Sequence, residues 1–275
     1  MPVNDALGTR MKEFYENVPK TKLVRRMPVA IRIDGKAFHT FTRGFNKPFD
    51  EVLIKTMKET MKYLCENIQG CVLGYTQSDE ITLILIDYQK LTTSAWFDYE
   101  VQKMCSIAAS MATMAFNKFF YQNIYNFHID RIIREDNGGW RNKENWDKPE
   151  SKDLADIYYR AKEHGAMFDA RCFNIPKEEV TNLIYWRQLD ATRNSIQMVG
   201  QANFSHKELQ GKSCNEIQDM LFTQKGINWN NFPIYQKRGS CAIKVDSGWF
   251  IDNNIPIFKG EGREYIDKLI FIKEE

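Results

Sequence analysis

Two short segments carry residue types that can do chemistry together. Ile31-Arg32-Ile33-Asp34-Gly35-Lys36 and Gly74-Tyr75-Thr76-Gln77-Ser78-Asp79-Glu80 are each an apolar run that ends in a carboxylate. Carboxylates brought together repel one another and are costly to bury. A hard divalent cation removes that cost, and Mg²⁺ prefers a few carboxylates together with phosphate oxygens and water. Two such ions clamp the attacking and leaving oxygens of an in-line phosphoryl displacement. Gly35 lets the backbone approach a metal or phosphate closely, and Lys36, Ala37, Phe38 and His39 offer backbone N–H groups and one cation to a triphosphate. Taken one at a time, each acid has the plainer reading of a solvated turn residue, and Asp-Gly is a common turn dipeptide.

The two acids can act together only if the elements between them return the chain to the same edge. Val29 to Asp34 reads as a buried strand and Asp34 to His39 as a turn. A helix follows from Pro48, with Leu53, Met57, Met61 and Leu64 at helical spacing to about Asn67. Cys71–Tyr75 and Glu80–Ile86 read as a hairpin around Thr76–Asp79, Trp96–Gln122 as a long helix, and Ala166–Ile175 as a fourth strand. The order β-α-β-β-α-β predicts an α+β fold of the ferredoxin-like kind. In that sheet the first and third strands lie antiparallel side by side, so Asp34 comes next to Asp79-Glu80. The chain is expected to form a single palm-like catalytic domain over 1–275 with helical and β additions at its C-terminal end. Residues 1–27 read as a helix with a break at Pro19-Lys20. Beyond Pro176 come another helix, two short helices over 203–225, and strands over Tyr235–Val245 and Trp249–Phe258. The polar stretch 126–165 reads as an excursion with a short helix over Lys152–Lys162; Arg131, Arg134, Arg141, Lys143 and Lys148 mix there with Trp140 and Trp146, a composition that suits RNA stacking or a solvated loop.

Composition narrows the rest. The 275 residues carry a net charge of +2, so any nucleic-acid surface is local rather than global. Six cysteines without a C-x-x-C pair read as reduced thiols, and four histidines show no metal-binding spacing. No apolar run reaches membrane-spanning length, so a cytoplasmic protein without membrane contact is expected.

Residues 29–50 and 74–80 resemble the tRNA-histidine guanylyltransferase family, as do Phe168-Asp169-Ala170-Arg171, Tyr185-Trp186-Arg187-Gln188-Leu189-Asp190, and Gly226-Ile227-Asn228-Trp229-Asn230 with Pro233-Ile234-Tyr235. The resemblance spans about 5–245 and its motifs come in the family's order. It implies a palm similar to that of polymerases and nucleotide cyclases, working in the reverse direction. A tRNA 5′-phosphate is adenylylated by ATP, and the 3′-hydroxyl of GTP then attacks the activated end. Two Mg²⁺ would serve as cofactors, ATP and GTP as substrates, tRNA as partner, and a homotetramer as the assembly.

Carried over by position, the resemblance makes Asp34 and Asp79 the catalytic metal carboxylates, with the Gly35 carbonyl as a further ligand and Glu80 as a supporting acid. It places Asp34, Gly35, Lys36, Ala37, Phe38, His39, Lys47, Ser78, Asp79 and Lys103 around nucleotides, and Arg32, Arg171 and Asn194 with the tRNA. Three departures stand out. Where the family's histidine-specific members carry a histidine after W-R-Q-x-D, this chain has Thr192. Glu100 stands where an arginine is expected, and the 126–165 stretch is longer than the family's usual connection. The first departure favours the branch that restores truncated tRNA 5′ ends by template over a dedicated enzyme adding one G to tRNA-histidine. A nucleotide cyclase and a non-catalytic tRNA-binding protein are the more remote alternatives.

Overall fold

The computed structural model describes residues 5–136 and 150–272, with side chains placed outside 130–153. Its centre is a six-stranded antiparallel sheet of β1 Val29–Gly35, β2 Cys71–Gln77, β3 Glu80–Leu85, β4 Phe168–Asn174, β5 Ser240–Val245 and β6 Gly248–Asp252, in the order β4-β1-β3-β2-β5-β6. The first four strands keep the ferredoxin-like order, and β5-β6 extends the sheet at the β2 side.

The inner strands alternate between two packed layers. Ile31, Ile33, Ile81, Leu83 and Leu85 face a core built with α3 Glu51–Asn67, α4 Val101–Asp136 and α5 Glu150–His164. Ala30 and Ile84 face the opposite layer, where α6 Lys177–Asn203 and α10 Glu264–Ile270 pack. Because both faces of β3 are covered, all six of its residues are buried. The short helix α2 Phe38–Phe41 lies against the first core through its phenylalanines. Asp50 caps α3, accepting from the Leu53 N–H at 2.9 Å, and its other carboxylate oxygen accepts from the Tyr158 hydroxyl at 2.7 Å. A third cluster joins the C-terminal half of α6 to α8 Cys214–Lys225 around Ile217, Leu221 and Trp229, beyond α7 His206–Leu209.

Several boundaries differ from the sequence reading. The N-terminal helix is short: α1 Ala6–Met11 continues as one wide turn over Lys12–Glu16 and stops before Pro19. The chain then runs extended, tied down where the Leu23 N–H donates to the Tyr99 carbonyl and the Val101 N–H donates to the Thr21 carbonyl. The long helix starts at Val101 rather than Trp96, because Phe97, Asp98 and Tyr99 form a left-handed turn. It also runs on to Asp136, into the expected excursion, and the later helix there covers Glu150–His164. Residues 137–149, with Trp140, Arg141, Lys143, Trp146 and Lys148, lie outside the described residues, as do the side chains of Arg131 and Arg134.

The expected strand over 235–245 divides. Ile234–Arg238 is α9, entered through Pro233, and β5 begins only after Gly239. Gly239 has φ +83°, and a Cβ there would meet the Thr76 carbonyl at 2.4 Å, so the chain turns into the sheet at the one residue that fits. The last strand ends at Asp252 rather than Phe258, where the Asp252 carboxylate accepts from the Asn254 N–H and closes a turn.

Candidate active site

The β1–β3 register places Asp34 opposite Glu80, and Gly35 donates its N–H to the Asp79 carbonyl at 3.1 Å. Two segments far apart in sequence thus meet at one edge of the sheet. Asp34 and Asp79 are both half-buried, and neither makes an ion pair among the described residues. Burial raises the Asp79 carboxyl above its ordinary value, and the nearby charges of Asp34 and Glu80 add to that rise. The Ser78 hydroxyl, donating to Asp79 Oδ1 at 3.0 Å, opposes it. Two repelling, poorly solvated carboxylates beside a glycine carbonyl form a set of hard oxygen donors that could hold a divalent cation. Among the described residues no group of three or more His, Cys, Asp or Glu side chains converges as a metal site, here or elsewhere, so the side-chain ligands this edge offers are the two aspartates.

The backbone around this pair is held in unusual conformations. Ser78 has φ +49° and Ala37 φ +53°, both left-handed for residues with a Cβ. Such positions persist only where surrounding structure over-determines them, and they concentrate at functional sites. Gly35 is fixed for a different reason. A Cβ on it would lie 2.2 Å from the Phe38 ring, which folds back under the loop. That ring is buried against Phe41, Phe116 and Phe168, at centroid distances of 5.2, 5.4 and 5.1 Å.

This packing corrects the expected nucleotide contacts of the loop. Phe38 contributes core rather than a free ring. The Lys36 N–H is already donated to the Met167 carbonyl at 2.8 Å. What remains is the exposed Lys36 and His39 side chains, and the N–H groups of Ala37, Phe38 and His39, which make no hydrogen bond among the described residues. Ser78 and Asn194 do come together, lining one small cavity of about 80 Å³ behind the Gln77–Ser78 turn, with Asp50, Ser195 and Gln236.

Glu80 is not free. Arg187 binds it in a fork, Nε to Oε1 at 2.7 Å and Nη2 to Oε2 at 2.6 Å, and Arg32 Nη2 donates to Oε2 at 2.8 Å. Arg187 also donates to Asp190 at 3.0 Å, and Asp190 accepts in turn from Arg193 and Asn194. Glu80 and Arg187 are both buried. Glu80 is therefore occupied by two guanidiniums, a geometry for fixing the β3 end rather than for ligating a metal. Arg187 is the site residue that reasoning on the acids alone misses. The signal available was an arginine and an aspartate at i, i+3 inside an otherwise core-facing helix.

The remaining positively charged candidates are dispersed. Arg171 is exposed on edge strand β4 and pairs with Asp169 at 3.0 Å. Lys47 lines a separate cleft of about 490 Å³ with Gln197, Gln201, His206 and Lys212. Lys103 lies in the first turn of α4, 4.7 Å from the Phe97 ring centroid, on the left-handed turn held by ion pairs of Asp98 with Lys22 and Arg25. That end of α4 touches Cys172, the register partner of Ile31, so it lies about 10 Å up the strand from Asp34. Thr192 spends its hydroxyl on the Gln188 carbonyl of its own helix at 2.9 Å.

Residues 8–176 match the family described as Thg1, tRNAHis guanylyltransferase. The tRNA(His) guanylyltransferase of Saccharomyces cerevisiae is 26% identical over 234 residues, covering 78% of this chain and 82% of the relative. Among solved structures, a bacterial tRNA(His) guanylyltransferase (Thg1)-like protein in complex with ATP is 43% identical. It superposes with a TM-score of 0.78 over 97% of this chain and all of that one. A bacterial Thg1-like protein in complex with GTP is 38% identical, with a TM-score of 0.74 over 98% of this chain.

Proposed function

This chain belongs to the Thg1 family of tRNAHis guanylyltransferases, and we propose that it extends the 5′ end of tRNA in the 3′-to-5′ direction, using ATP for activation and GTP or a templated nucleotide for addition. It is an enzyme of the nucleotidyltransferase class. The observation that carries the reading is the meeting of Asp34 and Asp79 at one sheet edge through the Gly35–Asp79 backbone hydrogen bond.

In the first step an oxygen of the tRNA 5′-phosphate attacks the α-phosphorus of ATP, and pyrophosphate leaves. In the second the 3′-hydroxyl of the incoming nucleotide attacks the activated 5′-phosphate, and AMP leaves. Pyrophosphate is then removed from the new end. Both displacements need reactants in line and charge compensated, more than they need a protein nucleophile. Asp34 and Asp79, with the Gly35 carbonyl, are the residues that would hold Mg²⁺; their unpaired, mutually repelling oxygens fit a hard cation. When bound, the metal neutralises charge developing on the phosphate oxygens. The Lys36 ammonium and the N–H groups of Ala37, Phe38 and His39 donate to the triphosphate oxygens. Arg187 and Arg32 hold Glu80, which keeps the β3 end in register with Asp34. Ser78 borders the incoming nucleotide, and Asn194 beside it meets the tRNA.

We favour templated repair over dedicated G addition because Thr192 stands where the histidine-specific members carry a histidine, and its hydroxyl is spent within its own helix. Base pairing would then choose the nucleotide while the protein reads tRNA shape and backbone. A homotetramer and a cytoplasmic setting complete the proposal; no helix among the described residues is long and apolar enough to cross a membrane. The test offers the protein full-length tRNA-histidine and a tRNA lacking its first 5′ nucleotide, with ATP, all four NTPs and Mg²⁺, and sequences the extended ends. Addition that follows the opposing base supports repair. Addition of G to tRNA-histidine alone identifies the dedicated enzyme, and cyclic nucleotide formed from NTP alone identifies a cyclase.

A further inference from the structure

Beside the carboxylates, helix α6 carries a tryptophan that the reaction as described does not use. Trp186 is 52% exposed, although its neighbours Arg187 and Gln188 are buried. Its ring is held by cations: Arg187 Cζ lies 4.5 Å and Arg32 Cζ 5.7 Å from the ring centroid. Both guanidiniums are anchored on Glu80. An aromatic ring placed by fixed cations has a defined position without being buried.

That position is close to the reacting end. Arg32 and Asp34 share one face of β1, two residues and about 7 Å apart. Along α6, Leu189 and Arg193 continue the exposed stripe from Trp186 at i+3 and i+7. On edge strand β4 the exposed Arg171 is the register partner of Arg32. Two buried polar atoms on this face have no hydrogen-bond partner among the described residues, Arg32 Nε and Thr82 Oγ1, and their residues are register partners across β1 and β3.

A single exposed tryptophan needs no explanation by itself. An indole fixed by two guanidiniums, flanked by exposed arginines and set next to paired carboxylates is a different matter. Splayed or terminal RNA bases are held by stacking on an aromatic ring while cations meet the adjoining phosphates. We propose that Trp186 is the stacking platform for the nucleobase at the tRNA 5′ end, with Arg193 and Arg171 meeting the adjoining phosphates. This rests on the tRNA-extending function proposed above and adds to it the residue that positions the terminal base. Arg171 thereby joins the RNA surface through its place in the sheet.

The experiment compares wild type, Trp186→Phe and Trp186→Ala on two 5′-phosphorylated tRNAs, one with its 5′-terminal base and one abasic at that nucleotide. Binding is measured at fixed salt in chelator without NTPs, and KM for tRNA and for GTP is measured with Mg²⁺. Trp186→Ala should weaken binding of the base-bearing tRNA roughly 5- to 150-fold, the range of one lost base–aromatic stack. KM for GTP should stay unchanged, and Trp186→Phe should recover most of the loss. Wild type should disfavour the abasic tRNA by a similar factor, and Trp186→Ala should not distinguish the two. RNA-dependent quenching of tryptophan fluorescence should fall in Trp186→Phe. Equal discrimination against the abasic end by wild type and Trp186→Ala would overturn the proposal, as would equal impairment of Phe and Ala variants. The outcome separates from the parent reading: a wild type that prefers the base-bearing end but adds no nucleotide keeps the platform and loses the proposed activity.

Discussion

The buried contact between Glu80 and Arg187 makes a sharp quantitative prediction. Glu80 receives three charge-assisted hydrogen bonds, two from Arg187 at 2.7 and 2.6 Å and one from Arg32 at 2.8 Å. Replacing Arg187 with methionine keeps much of the side-chain volume but removes two of the three. A carboxylate then stays in a site with only 7% side-chain exposure. Breaking one partner of a buried pair costs about 3–5 kcal/mol, and the surviving Arg32 contact puts this case near 3 kcal/mol. For a chain of 275 residues that corresponds to a melting temperature lower by about 5 °C. Removing both charges should be far milder, because a well-packed apolar pair is close to neutral in place of a buried ion pair. Glu80→Met/Arg187→Met should therefore regain at least half of the single-variant loss, a coupling of about 1.5 kcal/mol or more. Urea unfolding followed by far-UV circular dichroism reads this from the midpoints at unchanged slope. If the two single-variant effects simply add within about 0.5 kcal/mol, the clamp does not hold the β3 end and its role here is wrong.

Asp79 predicts a pH effect. With its carboxyl raised above 3.8 by burial and by Asp34 and Glu80, the native state binds more protons than the unfolded state between those two values. Stability measured in chelator should fall as pH rises through that window, and Asp79→Asn should remove that part of the fall. Millimolar Mg²⁺ should raise the melting temperature of wild type at pH 7 and leave Asp34→Asn/Asp79→Asn unmoved, as scanning calorimetry would record. Gly35→Ala should destabilise by about 1–3 kcal/mol, since its Cβ would lie 2.2 Å from the Phe38 ring; the same denaturation assay checks it, and nucleotide addition should fall with it. Tyr158→Phe should cost about 1.5–3 kcal/mol by removing the 2.7 Å hydrogen bond to the Asp50 cap, read as a lower urea midpoint with KM for GTP unchanged.

Much of the core architecture can be read from the chain because it rests on local periodicity. Short β-rich apolar runs in Val29–Asp34 and Glu80–Ile86, helical spacing through Leu53, Met57, Met61 and Leu64, and turn residues at Ser78-Asp79 all point one way. Topology then makes Asp34 the neighbour of Asp79-Glu80. What escapes is set by tertiary contact. Ile234 and Tyr235 are β-favouring residues, yet Pro233 and the approach of Gly239 to Thr76 make 234–238 a helix. The left-handed turn at Phe97–Tyr99 depends on Asp98 being held by Lys22 and Arg25 from another part of the chain. Glu80 reads as a supporting acid because it directly follows Asp79; only its distant partners Arg187 and Arg32 reveal that its charge is already spent. Phe38 lies in the segment expected to meet a nucleotide, but its ring belongs to the aromatic core.

Everything proposed for this site requires that Asp34 and Asp79 act as one metal-dependent centre on tRNA 5′ ends. The measurement is incorporation of labelled GTP into a 5′-phosphorylated tRNA lacking its first nucleotide opposite C, with ATP, across an Mg²⁺ titration. Wild type, Asp34→Asn and Asp79→Asn are compared, all with matched circular dichroism spectra. A single Asp34–Asp79 metal centre predicts incorporation by wild type that requires Mg²⁺ and ATP, and none by either folded variant. Incorporation by a folded Asp79→Asn protein at the wild-type rate, or by wild type in full chelator, would contradict it.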